Sequence, residues 1–425
     1  MADTIERWSR RKPMATRFLC CAWIIGCMGG SAHAQETSSF ALRETEAVAR
    51  ALARTALIDV LEGQVEIESG RGRVAAAYAN PEVAYVREQT FGSRGTGEDY
   101  LTVSQTVDLG NRRGLQGRAG ATRAQAAQAE GESARIGVAA EARLRFHDVL
   151  HRQGRAACLE AWVVRIDEAL AIVSRREQRG DAALYDRRRL ERERFVAGAR
   201  LESERAGVER AQGALTSLIG WHGAAPLLQG NLLPDSEPAT APDLRTISLE
   251  RPDLRALRLR LDASVLERSA AARWWAPDLR LEGGWKGVAL AGPERADGFL
   301  LGVSLSLPLW HRLQGLAQIA QAEARAARGR QALLESALHA QLGAVRAESS
   351  RLRRAAVELR AHATSASADL VRIATAGYAG GELGLLELLD AYRGASDDAL
   401  SILDMEHAAR RARIELDRMT GVEAP

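Results

Sequence analysis

The chain has 425 residues, 46% of them hydrophobic, with a formal net charge of +3; that is room for two or three ordinary domains or one long one with a sizeable core. Five positive residues (Arg7, Arg10, Arg11, Lys12, Arg17) and two negative ones (Asp3, Glu6) fall within the first 34 positions, so the rest is neutral and carries no basic tract. That balance argues against a nucleic-acid partner, and no apolar stretch of 18 or more residues follows the N-terminus to make a membrane-crossing helix.

Residues 1–34 read as an export signal. A basic stretch precedes the apolar run "FLCCAWIIGCMGG", and Ala32-His33-Ala34 then fits the small-x-small cleavage rule. A second parse stays open, because "IIGC" ending at Cys27 has the form of a lipidation box. Cys20, Cys21 and Cys27 all lie in this segment and only Cys158 follows it, so no disulfide framework is expected even in an oxidising compartment.

After the signal, two segments of alternating character at about 81–91 and 99–109 flank the turn-rich "GSRGTGE" and read as a β-hairpin. A proline-free run rich in Ala, Arg, Glu and Leu extends from about 112 to 178, followed by a glycine break at Gly180 and a returning helix that closes at "LTSLIG". The "YDRRRLERER" stretch at the start of that return mixes both charge signs at helical spacing, as a solvated or subunit-facing surface does. Residues 231–244 contain the proline-rich connector "PDSEPATAPD". The plan then repeats, with strands at about 277–288 and 298–309, a helix from about 312 to 377, glycines up to Gly381, and a return helix closing at "LDRMTG".

The order is a tandem duplication. "VSQTVDLGNRRGLQ" from Val103 answers "VSLSLPLWHRLQG" from Val303, and "GDAALYD" from Gly180 answers "GELGLLE" from Gly381. The repeats span 35–230, with a helical hairpin at about 112–219, and 245–425, with its hairpin at about 312–420. Strands of about 11 residues are long enough to cross a bilayer at a tilt, yet four cannot close a membrane barrel, for which about eight is the minimum. Either the strands form a soluble sheet or several chains share one barrel. Trp274, Trp275, Trp285 and Trp310 cluster near the second hairpin, as interfacial aromatics do and as a soluble core would also allow.

In this plan the chain resembles the TolC-type outer-membrane factor family, through the export signal, the duplicated strand–strand–helix–helix unit, "NPE" at Asn80, "SQTVDLGNRR" at Ser104 and the turn at Tyr378 and Gly381. The resemblance is nearest to the CzcC-like heavy-metal efflux branch. It implies an α+β outer-membrane protein, a homotrimer whose chains each give four strands to a shared 12-stranded barrel continued by a long helical tunnel in the periplasm. It also implies a non-enzymatic channel without cofactors, acting with a periplasmic adaptor and an inner-membrane RND-type pump, embedded in outer-membrane lipid. The rival reading is a periplasmic coiled-coil scaffold without a pore.

Among residues that carry chemistry, no P-loop, G-x-S-x-G elbow or H-E-x-x-H motif occurs. His147 and His151, four apart beside Asp148, have metal-ligand spacing, but the reading taken is a surface pair on a long polar helix, and no metal site is assigned. In "YAGGELGLLELLDAYR" a helical projection places Leu385, Leu388 and Leu389 on one face and Leu383, Glu387 and Asp390 on the other. Composition alone reads the acids as a solvated face. The family resemblance implies instead that Glu387 and Asp390 ring the closed periplasmic entrance, with Gly180 and Gly381 at the hairpin turns.

Overall fold

The computed structural model of the chain describes residues 41–92, 95–237, 244–289 and 294–421. The segment expected to be an export signal, with Cys27 and Ala34, and positions 238–243 of the connector lie outside them. A short strand β1 (Ala41–Leu42) leads into helices α1 (Glu44–Leu52) and α2 (Thr55–Ala76), strands β2 (Glu82–Gln89) and β3 (Gly97–Asp108), and helices α3 (Arg112–Gln178) and α4 (Leu184–Ile219). The second half runs through β4 (Leu227–Leu228), α5 (Leu244–Glu250), α6 (Pro252–Ala271), β5 (Asp278–Ala289), β6 (Arg295–Ser306), α7 (Gln314–Gly380) and α8 (Leu385–Thr420).

The two halves match in detail. α3 and α7 have 67 residues each, and α4 and α8 have 36 each, or about 100 Å and about 54 Å at 1.5 Å per residue. Each long helix is entered through a residue in the left-handed region, Asn111 (φ 50°) and Leu313 (φ 56°), and each is left through a left-handed glycine, Gly180 (φ 84°) and Gly381 (φ 79°). Asparagine takes that conformation readily; leucine does so at some cost. α7 begins two residues later than its sequence pattern suggests, because Pro308 and the left-handed Leu313 lengthen the passage out of β6. At the equivalent passage in the first half, Asp108 organises the turn. Its carboxylate accepts from the Gly110 and Arg113 backbone N–H groups at 3.0 and 2.9 Å, and Arg112 bridges Asp108 to Asp278 at the start of β5.

The sequence pattern announces no helix at 44–76 or 244–271, yet α1, α2, α5 and α6 occupy them. These helices complete the wall. α3 is flanked by α2 and α6 over its sheet-proximal half and by α4 and α8 over its far half; α7 meets α6 and then α8. The contacts are close because the seams are small residues. A Cβ on Gly120 would lie 2.2 Å from the Gly72 Cα, so α2 and α3 cross in backbone contact. Three apolar clusters hold the array together: Leu42, Phe146 and Leu215 around α1; Ile247, Leu254 and Leu416 around α5; and a third where the four long helices end. The connector is tied to the wall by arginines. Arg410 donates to the carbonyls of Asn231, Leu232 and Leu233, and Arg353 to those of Pro234 and Asp235.

Candidate functional site: the two-faced sheet and the hairpin ends

The four long strands form one antiparallel sheet in the order β2-β3-β5-β6. Its register sorts the side chains by face. One face carries the rungs Val83–Val103–Gly283–Leu301, Gln105–Leu281–Val303 and Val107–Leu279–Leu305; the other carries Glu82–Ser104–Glu282–Gly302 and Thr106–Arg280–Ser304. Thr102 and Ser104 are buried, while Leu101 and Val103, which alternate with them, are about half exposed. Phe299, Leu301 and Val303 are 81%, 79% and 70% exposed, so the apolar face is uncovered by the chain itself. Gln105 interrupts it, but its amide donates to the Ala79 and Thr106 carbonyls and leaves no donor bare.

The apolar face is bounded at both ends. Towards the hairpin tips it stops at an aromatic rung, Tyr85–Leu101–Trp285–Phe299, and the next rung is charged, Arg87–Asp99–Gly287–Asp297. At the helical end, Leu309, Trp310 and Trp275 are exposed. From Phe299 to the end of β6 at Ser306 the strand runs about 23 Å, or about 16 Å of height at a 45° tilt, and Leu307, Leu309 and Trp310 carry the apolar surface on past its end, towards the band of about 25 Å that a membrane barrel presents to lipid. The opposite face is knitted by charge: Lys286 pairs with Glu98 at 2.7 Å and Arg280 with Glu82 at 2.8 Å. Neither β2 nor β6 has an outer neighbour in the described chain.

At the far end of the wall, Leu385, Leu388, Leu389 and Tyr392 of α8 bury against Trp162, Ile166 and Val173 of α3, with Leu190 of α4 and Tyr378 of α7 in the same cluster. Burying each leucine contributes about 1.5–3 kcal/mol. Glu387 and Asp390 point away from this cluster and are exposed. Glu387 also stands in the first turn of α8, where an acid is favoured by the helix dipole. Leu383 does not share their face. It precedes α8, so a helical projection does not apply to it, and it packs against the cluster over Gly377. Gly180 and Gly381 sit at the two turns with positive φ, and Arg176 lies 4.9 Å from the Tyr378 ring, joining the two hairpins. In "YDRRRLERER", Arg187 pairs with Glu177 and Glu191, Arg194 with Asp167, and Glu193 with Arg393 of α8.

The histidines of α3 part company. His147 is buried and bonds Glu44 at 2.8 Å, beside Arg143. Burial alone would raise the Glu44 carboxyl, but the hydrogen bond and charge of His147 and the Arg143 guanidinium outweigh it and hold it at about 2. His151 bonds Asp404 at 2.7 Å and stacks on His407, whose ring burial pushes down to about 4. His407 comes from α8, 256 positions away, and no local signal in the sequence places it there. Cys158 is a free, half-buried thiol whose pKa is raised by that burial.

The outer membrane efflux protein family model matches residues 244–422. The cobalt-zinc-cadmium resistance protein CzcC of Cupriavidus metallidurans is 27% identical over 370 residues, covering 84% of this chain and 85% of that one. The nickel-cobalt-cadmium resistance protein NccC of Alcaligenes xylosoxydans is 23% identical, covering 67% and 62%. The second half of the chain thus matches the outer membrane efflux protein family, and nearly the whole chain is similar to its metal-resistance members. The solved outer-membrane channel OprN has the same fold, with a TM-score of 0.75 over 89% of this chain and 90% of that one at 18% identity. The family match, the relatives and the shared fold together identify an outer-membrane channel with a helical tunnel on the periplasmic side. The pore-free scaffold leaves the uncovered apolar band of its sheet unexplained.

Proposed function

We propose that three copies of this chain pool their sheets into one 12-stranded barrel and export heavy-metal cations delivered by a periplasmic adaptor and an RND-type inner-membrane pump. The observation that carries the assembly is the sheet itself: an apolar band on one face, charged and hydroxyl side chains on the other, and two unpaired edges. An open edge in lipid costs several kcal/mol per unsatisfied backbone group, and pairing β6 of one copy with β2 of the next removes both edges. The polar face then lines water and the apolar face meets lipid. The cargo class is supported by the likeness to CzcC and NccC, which are named for resistance to metal cations.

Glu387 and Asp390 form the entrance. They project from the α8 surface opposite the tip cluster, so three copies bring six carboxylates around one axis. Such a ring admits cations and repels anions. In planar bilayers, Glu387→Ala with Asp390→Ala should lower cation selectivity and weaken block by divalent cations. Unchanged selectivity and block in the double variant would put both acids outside the conducting path.

A further inference from the structure

Where α3 and α8 run side by side, Asp148, His151 and His407 each present a potential ligand atom, and the three atoms lie within 4.8 Å of one another. The His407 Nε2 is buried and has no hydrogen-bond partner. Leaving a buried polar atom unsatisfied is costly, and something of the right chemistry would relieve it. His151 is already arranged as a metal ligand is. Its Nε2 engages Asp404 at 2.7 Å, and Arg155 donates to both oxygens of that carboxylate at 2.8 and 2.9 Å. Ligating imidazoles generally give their second nitrogen to a carboxylate in this way, which fixes the ring and raises its basicity. The Nδ1 of His151 is left as the atom a metal takes.

We propose that Asp148, His151 and His407 bind a divalent transition-metal cation within the helical wall, one per chain. Two imidazoles and one carboxylate suit borderline ions of the zinc, cobalt and nickel kind, whereas magnesium and calcium prefer all-oxygen sites and copper(I) prefers sulfur. Ligand atoms of a tetrahedral site stand about 3.3 Å apart, so the donors must draw together from their present spread, which rotation of the stacked rings provides. Arg152 lies 3.5 Å from Asp148 and is more than one-third exposed, so it can swing into solvent as the cation enters. The site goes beyond the channel reading and stands whatever the cargo is. It is a resident position that braces α3 against α8, separate from the acids at the entrance.

Binding is tested on the full-length protein purified in detergent, stripped with chelator and titrated with Zn²⁺ by calorimetry and with Co²⁺ by visible absorption. We expect one ion per chain, no competition from Mg²⁺, and at least a tenfold loss of affinity in His407→Ala, His407→Gln and His151→Ala. His222→Ala, at an exposed position elsewhere, should bind as the parent does. The glutamine variant preserves bulk and polarity, so a loss shared by both His407 variants reports ligation and not packing. Affinity unchanged in the His151→Ala, His407→Ala double variant would overturn the site, as would the absence of stoichiometric binding to the intact parent. Bilayer selectivity plays no part in this measurement, so the channel reading and the metal site can fail separately.

Discussion

An arginine placed on either side of one strand should distinguish lipid from lumen. Val303 and Ser304 are neighbours on β6, on opposite faces; Val303 lies across from Leu281 in the apolar band, and Ser304 across from Arg280. Val303 is four residues from the aromatic rung at Phe299, about 13 Å along the strand and about 9 Å in depth at a 45° tilt, within a few ångströms of the midplane of a 25 Å band. A cation there costs about 2–4 kcal/mol per chain, or about 6–12 kcal/mol across three copies. At about 1.4 kcal/mol per decade, even the lower per-chain figure shifts the folded fraction about 30-fold. Val303→Arg should lose the trimer-sized band in mild detergent and lower the urea midpoint in liposomes. Ser304→Arg, facing water, should keep both to within about 1 kcal/mol. If Ser304→Arg were as damaging as Val303→Arg, the assignment of faces, and with it the shared barrel, would be wrong.

Two other outcomes are open to direct measurement. Cleavage after Ala34 leaves Gln35 as the mature N-terminus without lipid, which intact-mass spectrometry of membrane-purified protein reads directly; an acyl adduct on Cys27 would place the chain among lipidated proteins instead. The depressed Glu44 pKa makes a statement about acid stability: a group lowered from 4.5 to about 2 contributes stability present above pH 4.5 and lost as pH falls through about 2. The melting temperature of Glu44→Gln should therefore lie below that of the parent at neutral pH, with the gap closing between pH 4.5 and 2. A gap that stays constant through that window would mean that Glu44 is not the titrating group.

The long elements were legible because their signals are local. An Ala- and Arg-rich run without proline announces α3 and α7, and strict alternation announces β3, where the sorting of Thr102 and Ser104 from Leu101 and Val103 follows directly from the period of two. The shorter α2 and α6 signal weakly: α6 has a proline in its first turn in "RPDLRALRLRL" but spreads Arg255, Arg258, Arg260 and Arg268 around its faces, and α2 is interrupted by Gly63, Gly70 and Gly72. Leu383 departs from the face that a 100° projection gives it because it precedes the first helical residue of α8. His407 beside His151 was out of reach for a different reason. Spacing along one helix predicts which side chains share a face, but the partner helix is chosen by packing between α3 and α8, which no window of sequence contains.

The equal lengths of α3 and α7, and of α4 and α8, restrict how this wall can change in evolution. One residue inserted into α3 alone would move the Gly180 turn by about 1.5 Å and rotate it by about 100°, carrying Trp162 and Ile166 off the seam they share with α8. The Gly381 turn would stay where it was, and the rim would become uneven. A viable change in tunnel length has to keep both turns level and every seam in phase, so it comes as about two helical turns in all four long helices together. Relatives of different reach should therefore differ by matched sets of insertions, about seven residues to a helix, one set in each repeat.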